Sequence, residues 1–82
     1  MTETQNGAQE IAALYETILA RKTADSTDSY SAQLLADLPR AARKLGEEAS
    51  ETMVAALSGT DEALAGEAGD LLYHLLVVLV AR

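Results

Sequence analysis

The short link between two long helical patterns is the feature that most constrains this fold. The first pattern begins at Pro39, which suits the first turn of a helix, and runs to about Leu57. The second begins after Thr60, a residue typical of a helix N-cap, and continues to Arg82. The segment "SGT" at 58–60 leaves room only for a tight turn. A link this short forces the two helices into an antiparallel hairpin.

One more amphipathic helix is predicted before the hairpin. Its apolar residues recur at i, i+3 and i+4 spacing and are Ile11, Leu14, Tyr15, Ile18 and Leu19. We expect residues 1–8 to be a disordered tail, the helix to end near Lys22 and residues 23–31 to form a loop. An apolar cluster at 34–38 indicates one or two further helical turns. No segment alternates like a strand, so residues 1–82 are predicted to be one all-α domain, a helical hairpin plus an N-terminal helix.

The last helix is apolar on almost every side beyond Asp70, in the stretch "LLYHLLVVLVA" at 71–81. Such a helix has to be buried, and one short chain has few other helices to cover it. The sequence has no cysteine, so disulfides cannot supplement a core that buries only roughly 60% of the surface of the unfolded chain. We therefore expect a homodimer, in which association of two copies completes a helical bundle.

Charge and hydropathy limit the partners and the compartment. The formal net charge is −7, whereas non-specific nucleic-acid binding requires a basic surface. The N-terminal residues are polar and acidic, unlike a signal peptide. His74 interrupts the longest apolar run, which is shorter than the ~18 residues that a membrane-spanning helix needs. We expect a cytoplasmic protein that binds neither nucleic acid nor a membrane.

On a helical wheel with about 100° of rotation per residue, acidic residues lie beside the apolar stripe of each hairpin helix. They are Glu47, Glu48 and Glu51 on the first helix, and Glu67 and Asp70 on the second. The stripes themselves are Leu45, Ala49, Thr52, Met53 and Ala56, and Leu64, Ala68, Leu71, Leu72, Leu75 and Leu79. At ~1.5 Å per residue, both acidic groups lie about 14 Å from the turn. The hairpin is therefore expected to bring these carboxylates together.

Converging carboxylates repel one another unless a cation offsets their charge. The nearby bases Arg40, Arg43 and Lys44 are too few to do so. Hard oxygen ligands without thiolates favour Mg²⁺, with Mn²⁺ as an alternative, and Mg²⁺ typically also binds substrate phosphates. A di-iron bundle site would need Glu-x-x-His on two helices, and His74 is the single histidine. The alternative without a metal is that the glutamates are solvated and that Lys44 pairs with Glu48.

The spacing "EExxE" followed by "ExxD" on the next helix resembles the all-α nucleotide pyrophosphohydrolases of the MazG-like superfamily. Within it, four segments are similar to the phosphoribosyl-ATP pyrophosphatases of histidine biosynthesis. These are "LYETILARK" at 14–22, "SYSAQLL" at 29–35, "KLGEEASET" at 44–52 and "EAGDLLYHLLVVL" at 67–79. The resemblance implies hydrolysis of phosphoribosyl-ATP to phosphoribosyl-AMP and pyrophosphate, dependent on Mg²⁺.

The resemblance also implies roles for particular residues. The metal ligands it implies are Glu47, Glu48, Glu51, Glu67 and Asp70. The three glutamates of the first motif, Glu47, Glu48 and Glu51, are also the catalytic candidates, and one of them orients the attacking water as a base. Candidates for contacts with substrate phosphate are Lys44, Ser29 and Tyr30.

Two other functions fit part of the pattern. A housekeeping pyrophosphatase of non-standard nucleoside triphosphates would carry the same acids, and only the flanking segments favour the histidine-pathway enzyme. A non-catalytic helical dimerisation module would not need the acids, yet all of them are present. The sequence departs from the family at Leu45, where a β-branched residue is usual, and at Gly69, where a larger residue is usual. Such sequences also usually continue with a short segment past the position of Arg82.

Overall fold

The computed structural model describes residues 2–22 and 29–82, with side chains described from residue 8 onward. These residues form four helices and no strand. The helices are α1 (Thr2–Arg21), α2 (Tyr30–Leu35), α3 (Leu38–Ser58) and α4 (Asp61–Ala81). The predicted all-α class is confirmed. Helices α3 and α4 form the hairpin and share the most extensive helix packing in the described part of the chain.

Side-chain caps define where three of the helices begin. The Oγ of Ser29 accepts a main-chain N–H at 3.0 Å at the start of α2, and the Oγ1 of Thr60 does the same at 3.1 Å for α4. Asp37 caps α3, and Pro39 lies in its first turn, as the sequence predicts. Each cap satisfies a main-chain donor for which the helix itself has no acceptor.

The turn between α3 and α4 depends on the small size of Gly59. Its N–H donates to the carbonyl of Ala55 at 2.9 Å and ends α3. A Cβ at Gly59 would lie 2.9 Å from that same carbonyl oxygen, closer than side-chain carbons approach the main chain. Its φ of −95° is open to any residue, so the requirement is for space and not for a left-handed conformation.

Helix α1 begins earlier than its apolar pattern predicts. The tail expected over residues 1–8 is instead helical from Thr2. This segment adds nothing to the apolar stripe, and of residues 2–8 only Glu3, Gln5 and Ala8 have high helix propensity, so it extends a helix that the packed part of α1 nucleates. The end at Arg21 agrees with the prediction. Most of the loop predicted over 23–31 lies outside the described residues, and its last two positions belong to α2.

The core lies where the other helices meet the second half of α4. Its buried side chains are Ile18 from α1, Leu34 from α2, Ala41 from α3, and Leu76, Val77 and Val80 from α4. Leu14, Leu35 and Leu72 pack against this cluster. Among the described residues, no side chain of this core cluster comes from the half of the hairpin nearest the turn. In that half, α3 and α4 pack against each other.

The buried side of each hairpin helix coincides only in part with the predicted apolar stripe. Met53 and Leu79, both expected in the core, are 60% and 59% exposed. The side of α3 that is buried carries Ala41, Glu48 and Ala55 instead. Two small alanines at this heptad spacing permit close approach of the neighbouring helices. Glu48 therefore lies inside the helix interface, and much of the expected apolar stripe faces outward.

Helix α4 is longer than its continuous apolar run. It has 21 residues and, by length and composition, is apolar enough to cross a membrane, although the core helix of a soluble protein passes the same test. Residues 71–81 alone are too short to span a membrane, whereas the whole of α4 is long enough. Only 22% of the most apolar 18-residue stretch of α4 is buried within this single chain.

Candidate metal centre

Three acidic side chains from α3 and α4 meet between the two helices. Glu48 comes from α3, and Glu67 and Asp70 come from α4, where their i, i+3 spacing places them on one side. Each offers a carboxylate oxygen, and these oxygens all lie within 4.8 Å of one another. Each predicted acidic group therefore contributes to a single cluster.

One carboxylate oxygen of Glu48 and one of Glu67 are left without a protein partner among the described residues. Glu48 is only 8% exposed. The Oε2 atoms of Glu48 and Glu67 are both buried and have no hydrogen-bond partner among the described residues. Buried polar atoms without partners are rare, because nothing compensates the loss of their hydration. Two such oxygens in one cluster are suited to binding a cation.

Glu51 adds a fourth carboxyl beside this cluster. Burial, followed by the charge of Glu51, raises the pKa of Glu48 above its ordinary value. A hydrogen bond to the Glu51 carboxyl, followed by burial, raises the pKa of Glu67. Without a cation the cluster therefore disfavours full ionisation. A bound divalent cation reverses this preference, because it stabilises the ionised carboxylates.

Glu47, the remaining acid of the motif, lies outside the three-acid cluster. Its side chain is about half exposed, and its Oε1 lies 3.7 Å from the Nζ of Lys44. This ion pair takes the place of the Lys44–Glu48 pair on which the metal-free alternative depends. Glu48 is therefore left facing the acids of α4.

His74 connects the cluster to α2. Its Nδ1–H donates to the main-chain carbonyl of Asp70 at 2.7 Å, so its Nε2 accepts a hydrogen bond from the Tyr30 hydroxyl at 3.1 Å. The imidazole is only 6% exposed, and its plane is perpendicular to the ring of Tyr73. The hydroxyls of Ser31 and Tyr73 share a second hydrogen bond between α2 and α4. Helix α2 is thus fastened to the stretch of α4 that follows Asp70.

The residues predicted to contact phosphate differ in whether they have a hydrogen or a positive charge available for it. The Oγ of Ser29 accepts a main-chain N–H and keeps its own hydrogen for another acceptor. Lys44 lies in its surface ion pair and can exchange Glu47 for a phosphate. Tyr30 donates its hydroxyl hydrogen to His74, and its ring lies 5.9 Å from the guanidinium carbon of Arg40.

Thr52 and Tyr73 belong to this region although the sequence patterns assign them elsewhere. The helical wheel counts Thr52 as part of an apolar stripe, yet its hydroxyl contacts the main chain of both Glu48 and Glu67. Tyr73 falls on the side of α4 opposite Leu64, outside the predicted apolar stripe, and its hydroxyl pairs with that of Ser31. The available signal for Thr52 is a hydroxyl one turn after Glu48, within a stripe that is otherwise apolar.

The donor set fits a hard divalent cation. The cluster offers carboxylate oxygens only, and both ring nitrogens of His74 already have hydrogen-bond partners. Asp70 is exposed, so one edge of the cluster is open to solvent. Mg²⁺ binds through a few carboxylates and completes its shell with water and phosphate oxygens. The arrangement can therefore hold a cation that also binds a phosphate group at the open edge.

This chain is similar to known proteins of the phosphoribosyl-ATP pyrophosphohydrolase family. The sequence profile of the phosphoribosyl-ATP pyrophosphohydrolases matches residues 11–82. The chain is 57% identical over 70 residues to a phosphoribosyl-ATP pyrophosphatase of Erythrobacter litoralis (strain HTCC2594). It is 56% identical over 70 residues to that of Roseobacter denitrificans and 51% identical over 75 residues to that of Parvibaculum lavamentivorans.

These matches cover 84%, 84% and 90% of this chain, and 67%, 67% and 69% of the three relatives, in the same order. The chain thus spans about two-thirds of the length of these curated relatives. The residues matched by the family profile include both hairpin helices and every acid of the candidate metal centre.

Proposed function

The chain belongs to the phosphoribosyl-ATP pyrophosphohydrolase family, and we propose that it hydrolyses phosphoribosyl-ATP to phosphoribosyl-AMP and pyrophosphate in histidine biosynthesis. The observation that carries this proposal is the acidic cluster between α3 and α4, with its buried, unpartnered oxygens on Glu48 and Glu67. Such a cluster repels a triphosphate unless a cation lies between them. We propose Mg²⁺ as this cation, with Mn²⁺ as the alternative.

The residues that would hold the cation are Glu48, Glu67 and Asp70, whose oxygens already lie close together. Glu51 adjoins them, and Glu47 would join by leaving Lys44. When bound, Mg²⁺ offsets the charge of the phosphates and lowers the pKa of a water that it binds.

Glu51 is the catalytic base in this proposal. It is exposed, unlike Glu48, and its carboxyl adjoins those of Glu48 and Glu67. Its carboxylate can accept a proton from a water molecule whose oxygen forms a bond to the α-phosphorus. The bond from that phosphorus to the bridging oxygen breaks, and its electron pair leaves with pyrophosphate. Glu47 and Glu48, the other catalytic candidates, act in this scheme by holding the cation.

Lys44 and Ser29 are proposed to contact substrate phosphates. Ser29 has a hydroxyl hydrogen to donate, and Lys44 has a charge that it can turn from Glu47 to a phosphate. The phosphate contact predicted for Tyr30 stays a prediction. It requires the hydroxyl to exchange the nitrogen of His74 for a phosphate oxygen.

Pyrophosphate release from phosphoribosyl-ATP, dUTP and dCTP tests this function. We expect the highest kcat/KM with phosphoribosyl-ATP in Mg²⁺, and no release in a chelator. A preference for dUTP or dCTP would support the housekeeping alternative. Absence of release from all three would support the non-catalytic dimerisation module.

We also propose that the protein acts as a homodimer in the cytoplasm. Leu57 and Met53 on α3 are 83% and 60% exposed, and Leu79 on α4 is 59% exposed. Large apolar side chains left exposed within one stretch of helix, as Met53 and Leu57 are, are typical of an interface. Glu67 and Asp70 lie within the apolar helix α4 and favour a protein partner over lipid, because carboxylates are costly inside a bilayer. The net charge of −7 supports the expected absence of nucleic-acid binding.

A further inference from the structure

The hydroxyl of Thr52 lies between the main chains of two acidic residues of the candidate metal centre. Its Oγ1 is 2.7 Å from the carbonyl oxygen of Glu48, one turn earlier on α3. It is also 3.1 Å from the carbonyl oxygen of Glu67, on α4. The side chains of both residues belong to the cluster of possible cation ligands. This contact therefore crosses the hairpin at the height of the metal centre.

Two other helical hydroxyls show what Thr52 adds. Thr17 donates to the carbonyl of Ala13 at 3.0 Å, and Ser58 donates to that of Val54 at 3.0 Å. These are ordinary bonds to the preceding turn, which satisfy the hydroxyl within its own helix. Thr52 makes the same bond, so its approach to α4 is not needed to satisfy it. The second contact reports the position of α3 relative to α4.

One hydrogen serves two acceptors at Thr52. The hydrogen can be shared between the two carbonyls or given to either, and the main chains of Glu48 and Glu67 are held against the same oxygen atom. The buried carboxylates of these residues repel each other and act to separate the helices. A hydrogen bond at the main chain resists that separation and leaves the carboxylate oxygens free for a cation.

We propose that Thr52 is a positioning residue of the metal centre, whose hydroxyl fixes α3 against α4 so that Glu48 and Glu67 face the same cation. The inference rests on the proposed function in one respect, which is that this cluster binds Mg²⁺. Threonine is β-branched and less favourable in a helix than alanine. The hydrogen bond to Glu67 offsets this local disadvantage.

The test measures Mg²⁺ affinity by titration calorimetry on the full chain and on four variants. Thr52→Val keeps the shape and removes the hydroxyl, whereas Thr52→Ser keeps the hydroxyl and removes the methyl group. Thr52→Ala differs from the serine variant by a single oxygen, so the comparison holds even if the valine variant does not fold. Thr17→Val removes an ordinary hydroxyl bond on α1, outside the hairpin, and is the matched control.

We expect Thr52→Val and Thr52→Ala to weaken Mg²⁺ binding by about tenfold or more, the effect typical of losing a group that orients a metal ligand. The Mg²⁺ affinity of Thr52→Ser should lie within about threefold of that of the unchanged protein, because serine retains the hydroxyl. The affinity of Thr17→Val should equal that of the unchanged protein, because Thr52 is intact. At saturating Mg²⁺, kcat of Thr52→Ala should recover towards that of the unchanged protein. A general loss of stability would not produce this pattern in variants that circular dichroism shows to be folded.

Equal Mg²⁺ affinity in the unchanged protein and Thr52→Ala overturns the inference, and so does equal weakening in Thr52→Ser and Thr52→Ala. If the unchanged protein still releases pyrophosphate in an Mg²⁺-dependent reaction, the proposed function survives either result. If the unchanged protein binds no Mg²⁺, the proposed function and the role of Thr52 both fail.

Discussion

Glu48 is held in an environment that suits a carboxylate only when a cation is present. It is almost fully buried, one of its oxygens has no partner among the described residues, and Glu51 and Glu67 are its neighbours. Removing its charge without changing its shape should relieve repulsion within the metal-free protein. The consequence is that stability and catalysis respond in opposite directions to the same substitution.

We expect Glu48→Gln and Asp70→Asn to raise the melting temperature in a chelator. Mg²⁺ should stabilise both variants less than the unchanged protein, because each has lost a charged ligand. Pyrophosphate release should fall by about 100-fold or more, the scale seen when an electrostatic contact of the transition state is lost. Thermal melts with chelator and with Mg²⁺, together with the release assay, measure all three effects.

Glu47→Gln is the control for the metal-free melting temperature alone, because Glu47 is itself proposed to join the bound cation. Glu47 lies in an exposed ion pair with Lys44, so its loss should change the metal-free free energy of unfolding by no more than about 0.5 kcal/mol. Equal stabilisation by Mg²⁺ of the unchanged protein, Glu48→Gln and Asp70→Asn would contradict a shared cation site.

The pH dependence of stability follows from the raised pKa values of Glu48 and Glu67. A carboxyl whose folded-state pKa exceeds its ordinary value of 4.5 binds more protons in the folded state. In a chelator, these two groups should therefore lower the free energy of unfolding as pH rises from 4.5 through the raised values. Urea titrations from about pH 4 to about pH 8 measure this change. Glu48→Gln should flatten the curve, and a curve unchanged by that substitution would contradict the assignment.

At the scale of the helices, the residues typical of helix starts predicted the structure better than the apolar stripes did. Thr60 and Pro39 lie where the sequence predicts them because capping and proline geometry are local properties. The packed side of α3 was not predictable in the same way. The choice between Met53 and Ala55 as the buried side depends on how closely a neighbouring helix approaches, which is a tertiary property.

The acidic cluster shows the same division between local and tertiary information. Spacing on a hairpin was sufficient to place Glu48, Glu67 and Asp70 at one height. It did not separate Glu47 from them, because the helical wheel puts Glu47 on the same side and only the ion pair with Lys44 turns it away. The hydrogen bond from Thr52 to the carbonyl of Glu67 depends on the distance between the two helices, so the periodicity of the sequence does not predict it.

Substitution by alanine is expected to change the free energy of unfolding in opposite directions at Gly59 and at Gly46. A Cβ at Gly59 meets the main chain of Ala55 at 2.9 Å, so Gly59→Ala should destabilise the protein by about 1–3 kcal/mol. Gly46 lies in α3 with nothing within 4 Å of an added Cβ, so Gly46→Ala should stabilise it by up to about 1 kcal/mol. Urea unfolding at one fixed protein concentration measures both. The same sign for both variants would contradict the geometry of the turn.

The whole molecule leaves an apolar face on α4 that a second copy is proposed to cover. Leu79 lies on this face, and burying a leucine is worth about 1.5–3 kcal/mol, so Leu79→Gln should weaken dimerisation by about tenfold or more. Glu62→Gln, in the exposed first turn of the same helix, should leave it unchanged. Sedimentation velocity over a concentration series measures both dissociation constants. A stable, folded monomer at micromolar concentration would contradict the proposed dimer.

The turn at Gly59 and Thr60 also has a kinetic consequence. It joins two helices of 21 residues each. The first contacts between the helices, next to the turn, close very short loops and so cost little conformational entropy. Helical pairings that are local in sequence form within microseconds to milliseconds. The encounter of two chains should therefore be the slow step in dilute solution. In stopped-flow refolding, the observed rate should rise with protein concentration and reach a plateau only where pairing within one chain becomes limiting.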